Sequence, residues 1–279
     1  MDPFDSPQAE GGFKIGELSA AVAVSDAISG MLRNALGWFL VMVTFMVAIF
    51  IGICPTVVGW IVLLPLMTWG LQAYALEAVD GNANYMTLFS GWEQFGTMMA
   101  RMWGLFILGG LAYGLLFTPP FVLISYPELQ MMVQGDFAAF EQAQIMFTVK
   151  SMAVGLLMSL LAVRFILVLP FVVDHDKPIL EAISESWQRT GSHWLTLIGI
   201  ILLYQLLLVP GQVLNLGAAQ FNTQAQSNPE ELVAALPLVL GAQLFATVLN
   251  LVVAVFFSML TASVFRQLAG PSPQKAAGA

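Results

Sequence analysis

Long apolar runs alternate with short polar stretches along this chain, and the run lengths predict its elements. A helix crossing a bilayer needs about 20 apolar residues, and Leu36 to Leu76 is roughly twice that long. It therefore reads as two spans, near 36–54 and 56–76, folded back where Gly52, Cys54-Pro55-Thr56 and Gly59 interrupt the run. A third span is predicted over 102–126, kinked or ended on its outer part by Pro119-Pro120. A fourth covers 151–173. A fifth, 194–209, is short and stops at Pro210-Gly211, and a sixth, 238–265, is long enough to tilt.

The polar stretches are patterned too. Each one preceding an odd-numbered span carries helical amphipathic spacing. Val24, Ile28, Met31 and Ala35 line one face of the first. In the second, Tyr85, Leu88/Phe89, Trp92, Phe95/Gly96 and Met99 recur at helical intervals. Ile179, Ile183 and Trp187 form the stripe of the third, with Pro178 in its first turn and Glu185 and Arg189 as a favourable pair. Superposed, Asp26-Ala27-Ile28-Ser29 matches Glu181-Ala182-Ile183-Ser184, and Ser29-Gly30 matches Ser90-Gly91. Asp80 and Asp174 each close a span ten residues before the matching serine. The expected fold is all-α and polytopic: six spans in a bundle with three interfacial helices, in three copies of one unit. Between spans on the other side, 127–147 reads as a short interfacial helix and 211–236 as a second surface excursion.

Composition agrees with a membrane setting. Hydrophobic residues make up 58% of the 279 and charged residues 9%, against roughly 25% charged in soluble domains. The net charge of -8 and the lack of any Lys/Arg cluster argue against a nucleic-acid partner. A single cysteine, Cys54, excludes an internal disulfide and a cysteine-based metal site. Asp2, Asp5, Glu10, Glu17 and Asp26 leave the start unlike a signal peptide, and 1–17 and 269–279 read as disordered tails. Lys14, Arg33, Arg101, Lys177, Arg189, Arg266 and Lys275 fall on one side of the six spans and Lys150 on the other. The positive-inside rule then puts both termini in the cytoplasm.

Arg164-Phe-Ile-Leu-Val-Leu-Pro170-Phe-Val-Val-Asp174, followed by Glu181-Ala-Ile-Ser184-Glu-Ser186-Trp187 and Gly191 before a span, resembles a family of bacterial six-helix membrane proteins. That family is related to the membrane domain attached to some glycerophosphoryl diester phosphodiesterases. Leu88-Phe89-Ser90-Gly91-Trp92 fits the same pattern, and the resemblance extends over most of 20–268. In the two-part enzymes catalysis belongs to a separate barrel, which these residues do not encode. The resemblance thus implies a fold and a place in the bacterial inner membrane, not hydrolysis.

Candidate chemistry is sparse. Arg164 is the one charge within an apolar run, and intramembrane charges cost about 2.5–3.5 kcal/mol on insertion scales. It is expected to face the bundle and clasp Asn250, at similar depth in the sixth span, or helix-end carbonyls. Gln205 and Gln243 lie shallower. Small residues allow close helix approach: Gly110 and Gly114, then Ser151, Gly155 and Ser159, then Ser258 and Ala262. Trp38, Trp60, Trp103, Trp187 and His193-Trp194 read as interfacial anchors. No catalytic signature is present. No cofactor or metal is expected, and the expected partners are membrane lipids, another membrane protein or a second copy. The preferred function is a non-enzymatic scaffold or accessory subunit. A transporter would line a path with Arg164, Tyr204, Gln205, Gln243 and Asn250. A hydrolase or transferase would gather Asp80, Asp174, His175 and Glu181 into one pocket.

Overall fold

The computed structural model describes residues 15–53, 57–135, 137–226 and 229–270. The hairpin break at Cys54-Pro55-Thr56 and most of both tails lie outside these residues, as does the side chain of Trp60. Ten α-helices and no strand occur among the described residues: α1 Ala20–Arg33, α2 Ala35–Ile53, α3 Val57–Val79, α4 Phe95–Ile124, α5 Tyr126–Val133, α6 Phe137–Ala162, α7 Val168–Asp174, α8 Ile179–Thr190, α9 Trp194–Gln226 and α10 Pro229–Ala269. Four helical stretches are long and apolar enough to cross a membrane, or up to six if each of two bent pairs counts as one span. The chain is an all-α polytopic membrane protein.

The surface helices form as their sequences dictate, yet bury faces other than the expected ones. Ser19 caps α1 by accepting the Val22 N–H, and the chain turns through 85° at Asn34 into α2. The buried face of α1 is Ala23, Ala27 and Gly30, whereas Ile28 and Leu32 point outward. Close approach explains the choice: a Cβ on Gly30 would lie 2.2 Å from Met259 Cε of α10. In lipid, large apolar side chains gain little from helix association, so small residues take the contact. Likewise α8 buries Ala182, Ser186 and Thr190 and leaves Leu180 and Trp187 outward. Ala27 and Ala182, matched in the repeat alignment, are both fully buried. The second stretch departs from expectation: Tyr85–Trp92 is a 3-10 helix packed on α3, and Phe95 onward already belongs to α4.

Three further boundaries are corrected. Pro210-Gly211 does not stop the fifth span, since α9 continues through Pro210 to Gln226, and α10 begins at Pro229, so no surface excursion fills 211–236. Hydrocarbon offers a broken backbone no partners, so a membrane helix tolerates the bond that proline removes. Residues 126–133 form the predicted short helix, but Phe137 starts α6. The end of the N-terminal tail is not loose: the Gly16 N–H donates to the Gln267 carbonyl at 2.8 Å.

The fourth span is broken. Helix α6 ends at Ala162, a 3-10 turn occupies Val163–Phe165, and α7 leaves at 48°. Pro170 accounts for the break, because its ring opposes the carbonyl four residues back, at Ile166. The packed core lies at one end of the bundle. Met259, Leu260, Ala262, Val264 and Phe265 of α10 are fully buried there, together with Phe171 and Leu167, while Leu238, Leu240 and Leu244 near the start of α10 are exposed.

Candidate functional site

The break in the span creates free backbone groups, and α8 supplies their partners. The Ser186 hydroxyl accepts the Leu167 N–H at 3.3 Å and donates to the Arg164 carbonyl at 2.7 Å. Thr190 Oγ1 reaches the same carbonyl at 3.3 Å. Both side chains are fully buried. Helix α8 is thereby hydrogen-bonded onto the bent pair α6 and α7, and Phe171 is held against Phe265, ring centroids 5.0 Å apart.

Beyond the break, α7 delivers Asp174 to Arg266 of α10. The Arg266 guanidinium donates from Nε and Nη2 to the two oxygens of Asp80, each at 2.7 Å. Its Nη1 donates to Asp174 Oδ2 at 2.6 Å, Nη2 to Asp174 Oδ1 at 3.3 Å, and Nη1 also to the Gly270 carbonyl at 3.2 Å. Two carboxylates thus take both edges of one planar donor fork. The Asp174 side chain is 3% exposed and that of Arg266 11%. These charges must stay matched, because removing one member leaves the others buried and uncompensated.

Around this pair of bridges the ends of other elements close in. Asp176, with φ of +53°, turns the chain from α7 toward α8, and its carboxylate pairs with Arg101 of α4. Aspartate is among the few residues that tolerate this backbone region. Lys177 pairs with Glu181 at 2.8 Å and with Glu185, and these hydrogen bonds hold its ammonium above the usual lysine range. Arg189 donates to the Leu268 carbonyl at 2.8 Å, Ser263 donates to Asp26 at 2.9 Å, and Gln267 Oε1 accepts the Ser19 N–H at 2.9 Å. His175 Nε2 is buried without a hydrogen-bond partner, 3.7 Å from Asp174 Oδ2. Burial pushes the His175 pKa below its ordinary value. The Asp174 charge opposes that shift, and Arg266 and Lys177 add to it.

The expected Arg164 clasp is not formed. The guanidinium of Arg164 lies over the Trp187 ring, 4.4 Å from its centroid, and against Gly191. Asn250 lies instead against Gly211, where an added Cβ would sit 2.2 Å from Asn250 Oδ1. Trp194 and Gly211 are separated by about 25 Å at helical rise, so the two polar groups occupy different levels. A continuous helix would have put Arg164 deep in the span; the break and the docked α8 bring it to a surface tryptophan. Asn250 Oδ1 is buried with no partner, Gln205 is half-buried beside Tyr204, and Gln243 is exposed. None of these residues lines the cleft at Arg33, Tyr74 and Tyr85 or the one at Thr44, Leu66 and Trp92.

Of the four residues gathered by the hydrolase reading, Asp80 and Asp174 do converge and His175 adjoins them, but Glu181 turns out to Lys177. Among the described residues no three His, Cys, Asp or Glu side chains come together to hold a metal. The small residues are used unevenly. Ala262 is buried and Ser151 half-buried, while the Ser159 and Ser258 hydroxyls bond carbonyls of their own helices. Cβ atoms on Gly110, Gly114 or Gly155 would meet nothing, so these three do not pack the bundle. Trp38 is buried against Tyr74 rather than anchored at an interface, and His193 is hydrogen-bonded to the Gly16 carbonyl.

The sequence showed Ser186 only within a family-like motif and Arg266 only as a charge that sets topology, with no contact expected for either. A signal for Arg266 existed: it ends the sixth span where Asp80 and Asp174 end the second and fourth, with the opposite charge.

Residues 138–275 match the family model for the membrane domain of glycerophosphoryl diester phosphodiesterase. Over those residues, just under half of the chain, the sequence is similar to that membrane domain. The match takes in α7, α8, α9 and α10, hence the broken span, the Ser186 staple and Arg266, while Asp80 and α1 to α5 lie outside it. No curated protein and no solved structure matches this chain. A relation to this membrane domain, together with the apolar helices, makes the chain a multi-pass integral membrane protein.

Proposed function

We propose that this chain is a non-enzymatic scaffold or accessory subunit acting through contacts with lipid or another membrane protein. Helix α4 carries the reading. Beyond Met102 no residue of α4 is buried within the chain, and Ile107, Leu111, Leu115 and Leu116 are exposed. Its glycines at 110 and 114 leave an open strip of backbone, the form of surface against which a second membrane helix packs closely. The ion pairs at the charged end of the bundle support it too, because Arg266, Asp80 and Asp174 are matched to one another within the chain, as in a structural clamp.

The reading places the protein in a bacterial inner membrane with both termini in the cytoplasm. Its support is the clustering of Arg33, Arg101, Lys177, Arg189 and Arg266 around one end of the bundle, with Lys150 paired to Glu128 elsewhere at 2.6 Å. The test is a photo-crosslinking residue at Leu111, in membranes, compared with one at the buried Met259. Adducts to a lipid or a specific membrane protein at Leu111 alone are expected. Purified protein in liposomes that carried a solute flux or cleaved a phosphodiester would overturn the assignment.

A further inference from the structure

The elbow between α1 and α2 holds a surface cleft of about 310 Å³ lined by Arg33, Asn34, Leu36, Gly37, Leu40, Tyr74, Ala83 and Tyr85. We infer that this cleft binds the phosphate of an anionic phospholipid. Two independent observations point to an anion. Arg33 is exposed and has no carboxylate or aromatic partner among the described residues, unlike Arg101, Lys150, Lys177, Arg189 and Arg266, which are ion-paired, and Arg164, which lies on Trp187. Tyr74 is 1% exposed, lines the cleft, and its hydroxyl has no hydrogen-bond partner among the described residues. The hydroxyl is therefore available at the wall of the cleft to donate to a group seated there.

The shape of the elbow serves the same end. A Cβ at Gly37 would sit 2.0 Å from the Tyr74 hydroxyl, so glycine at that position is what lets the hydroxyl reach the cleft. The Tyr85 hydroxyl is engaged with Thr44, and the Glu77 carboxylate is turned to Thr87 and the Asn84 N–H, which leaves Arg33 and Tyr74 as the free donors. Leu36 and Leu40, both exposed, continue from the cleft along α2 and offer acyl chains a path. A free phosphate would satisfy the donors equally but would gain nothing from that apolar wall, and the lipid is therefore favoured. The cleft lies outside the family-matched segment. The inference deepens the lipid-contact half of the proposed function and rests on it.

The test uses the full chain purified in detergent and native mass spectrometry, titrated separately with phosphatidylglycerol, phosphatidylcholine and inorganic phosphate. Retention of phosphatidylglycerol in preference to phosphatidylcholine is expected. Arg33→Gln, at an exposed position that does not endanger folding, should weaken that retention about tenfold, the size of one charge-assisted contact. Tyr74→Phe, which keeps the ring against Trp38, should weaken it several-fold, and Arg101→Gln should not change it. Equal retention of the two lipids, or no effect of Arg33→Gln, overturns the inference. Retention of inorganic phosphate without lipid preference assigns the cleft to a soluble anion and overturns it too. Failure of the broader reading would show as solute flux or hydrolysis by the unmodified protein, a separate measurement.

Discussion

Ser186→Ala tests whether a single hydroxyl holds a surface helix to a broken span. The substitution removes the 2.7 Å bond to the Arg164 carbonyl, which retains Thr190 at 3.3 Å. It also strips the buried Leu167 N–H of the hydroxyl that accepts it. A lost bond is worth about 1 kcal/mol and an orphaned buried donor about 1–3 kcal/mol, so the sum is about 2–4 kcal/mol. The comparison is Ser184→Ala, two positions away on the exposed face, where the hydroxyl meets only Gln188 and the cost should stay within about 0.5 kcal/mol. Thr190→Val removes the 2.6 Å bond to the Ser186 carbonyl together with the weaker contact to Arg164 and should fall between them. Melting in detergent, followed by size-exclusion chromatography of heated samples, reads the order Ser186 before Thr190 before Ser184. Equal melting temperatures for the Ser186 and Ser184 variants would refute the staple.

Arg266→Gln removes the guanidinium shared by Asp80 and Asp174 and should destabilise by about 3–5 kcal/mol, with Arg266→Lys recovering only part because an ammonium cannot make both forks; the same melting assay reads it. The His175 pKa is lowered in the fold, so the unfolded chain binds its proton first: the stabilising difference is present above about pH 6.5, the unpaired histidine value, and is lost as pH falls through the lower folded value. Melting temperature should therefore drop below that pH in the parent and drop less in His175→Phe. Arg164 at a half-exposed tryptophan should couple to it by about 0.5–1 kcal/mol in a double-mutant cycle of Arg164→Gln and Trp187→Leu, whereas several kcal/mol would indicate a deep clasp. Gly211→Ala should force Asn250 aside and cost about 1–3 kcal/mol, and adding Asn250→Ala should restore most of it, because the displaced oxygen has no partner to lose.

Much of the architecture was legible because a bilayer constrains it strongly. Run length fixes where helices can span, and α9 begins at Trp194, where the fifth span was expected, although α6 begins at Phe137, well before the expected 151. Proline was the main source of error. Pro210 stops a helix in water but sits inside α9, whereas the bend of the fourth span falls several residues before Pro170, at Val163–Phe165. The same break displaced Arg164. Similar depth for Arg164 and Asn250 holds only if the fourth span is straight, and it fails once the chain turns at Val163–Phe165. At the candidate site, Asp80 and Asp174 were visible as matched span ends, but their common partner was not. A lone arginine at the end of a span is accounted for by topology alone, and nothing in one-dimensional spacing says that it faces two carboxylates.

The broken span, the staple and the ion pairs make most sense as parts of one device. Apolar side chains are nearly as well solvated by lipid tails as by each other, so greasy surface alone cannot fix how α3, α7 and α10 sit together. The chain instead concentrates its specific contacts where the spans end. A straight continuation of α6 would carry Asp174 along the α6 axis; the 48° turn redirects α7 between α3 and α8, where Asp174 meets Arg266 beside Asp80. Ser186 makes the turn tolerable by satisfying the groups it exposes, and in doing so seats α8 over the junction. The cost of breaking a membrane helix is thus offset by hydrogen bonds from a neighbouring surface helix. What results is one end of the bundle held by matched charges and buried side chains, while Ile107, Leu111 and Leu115 along α4 stay exposed.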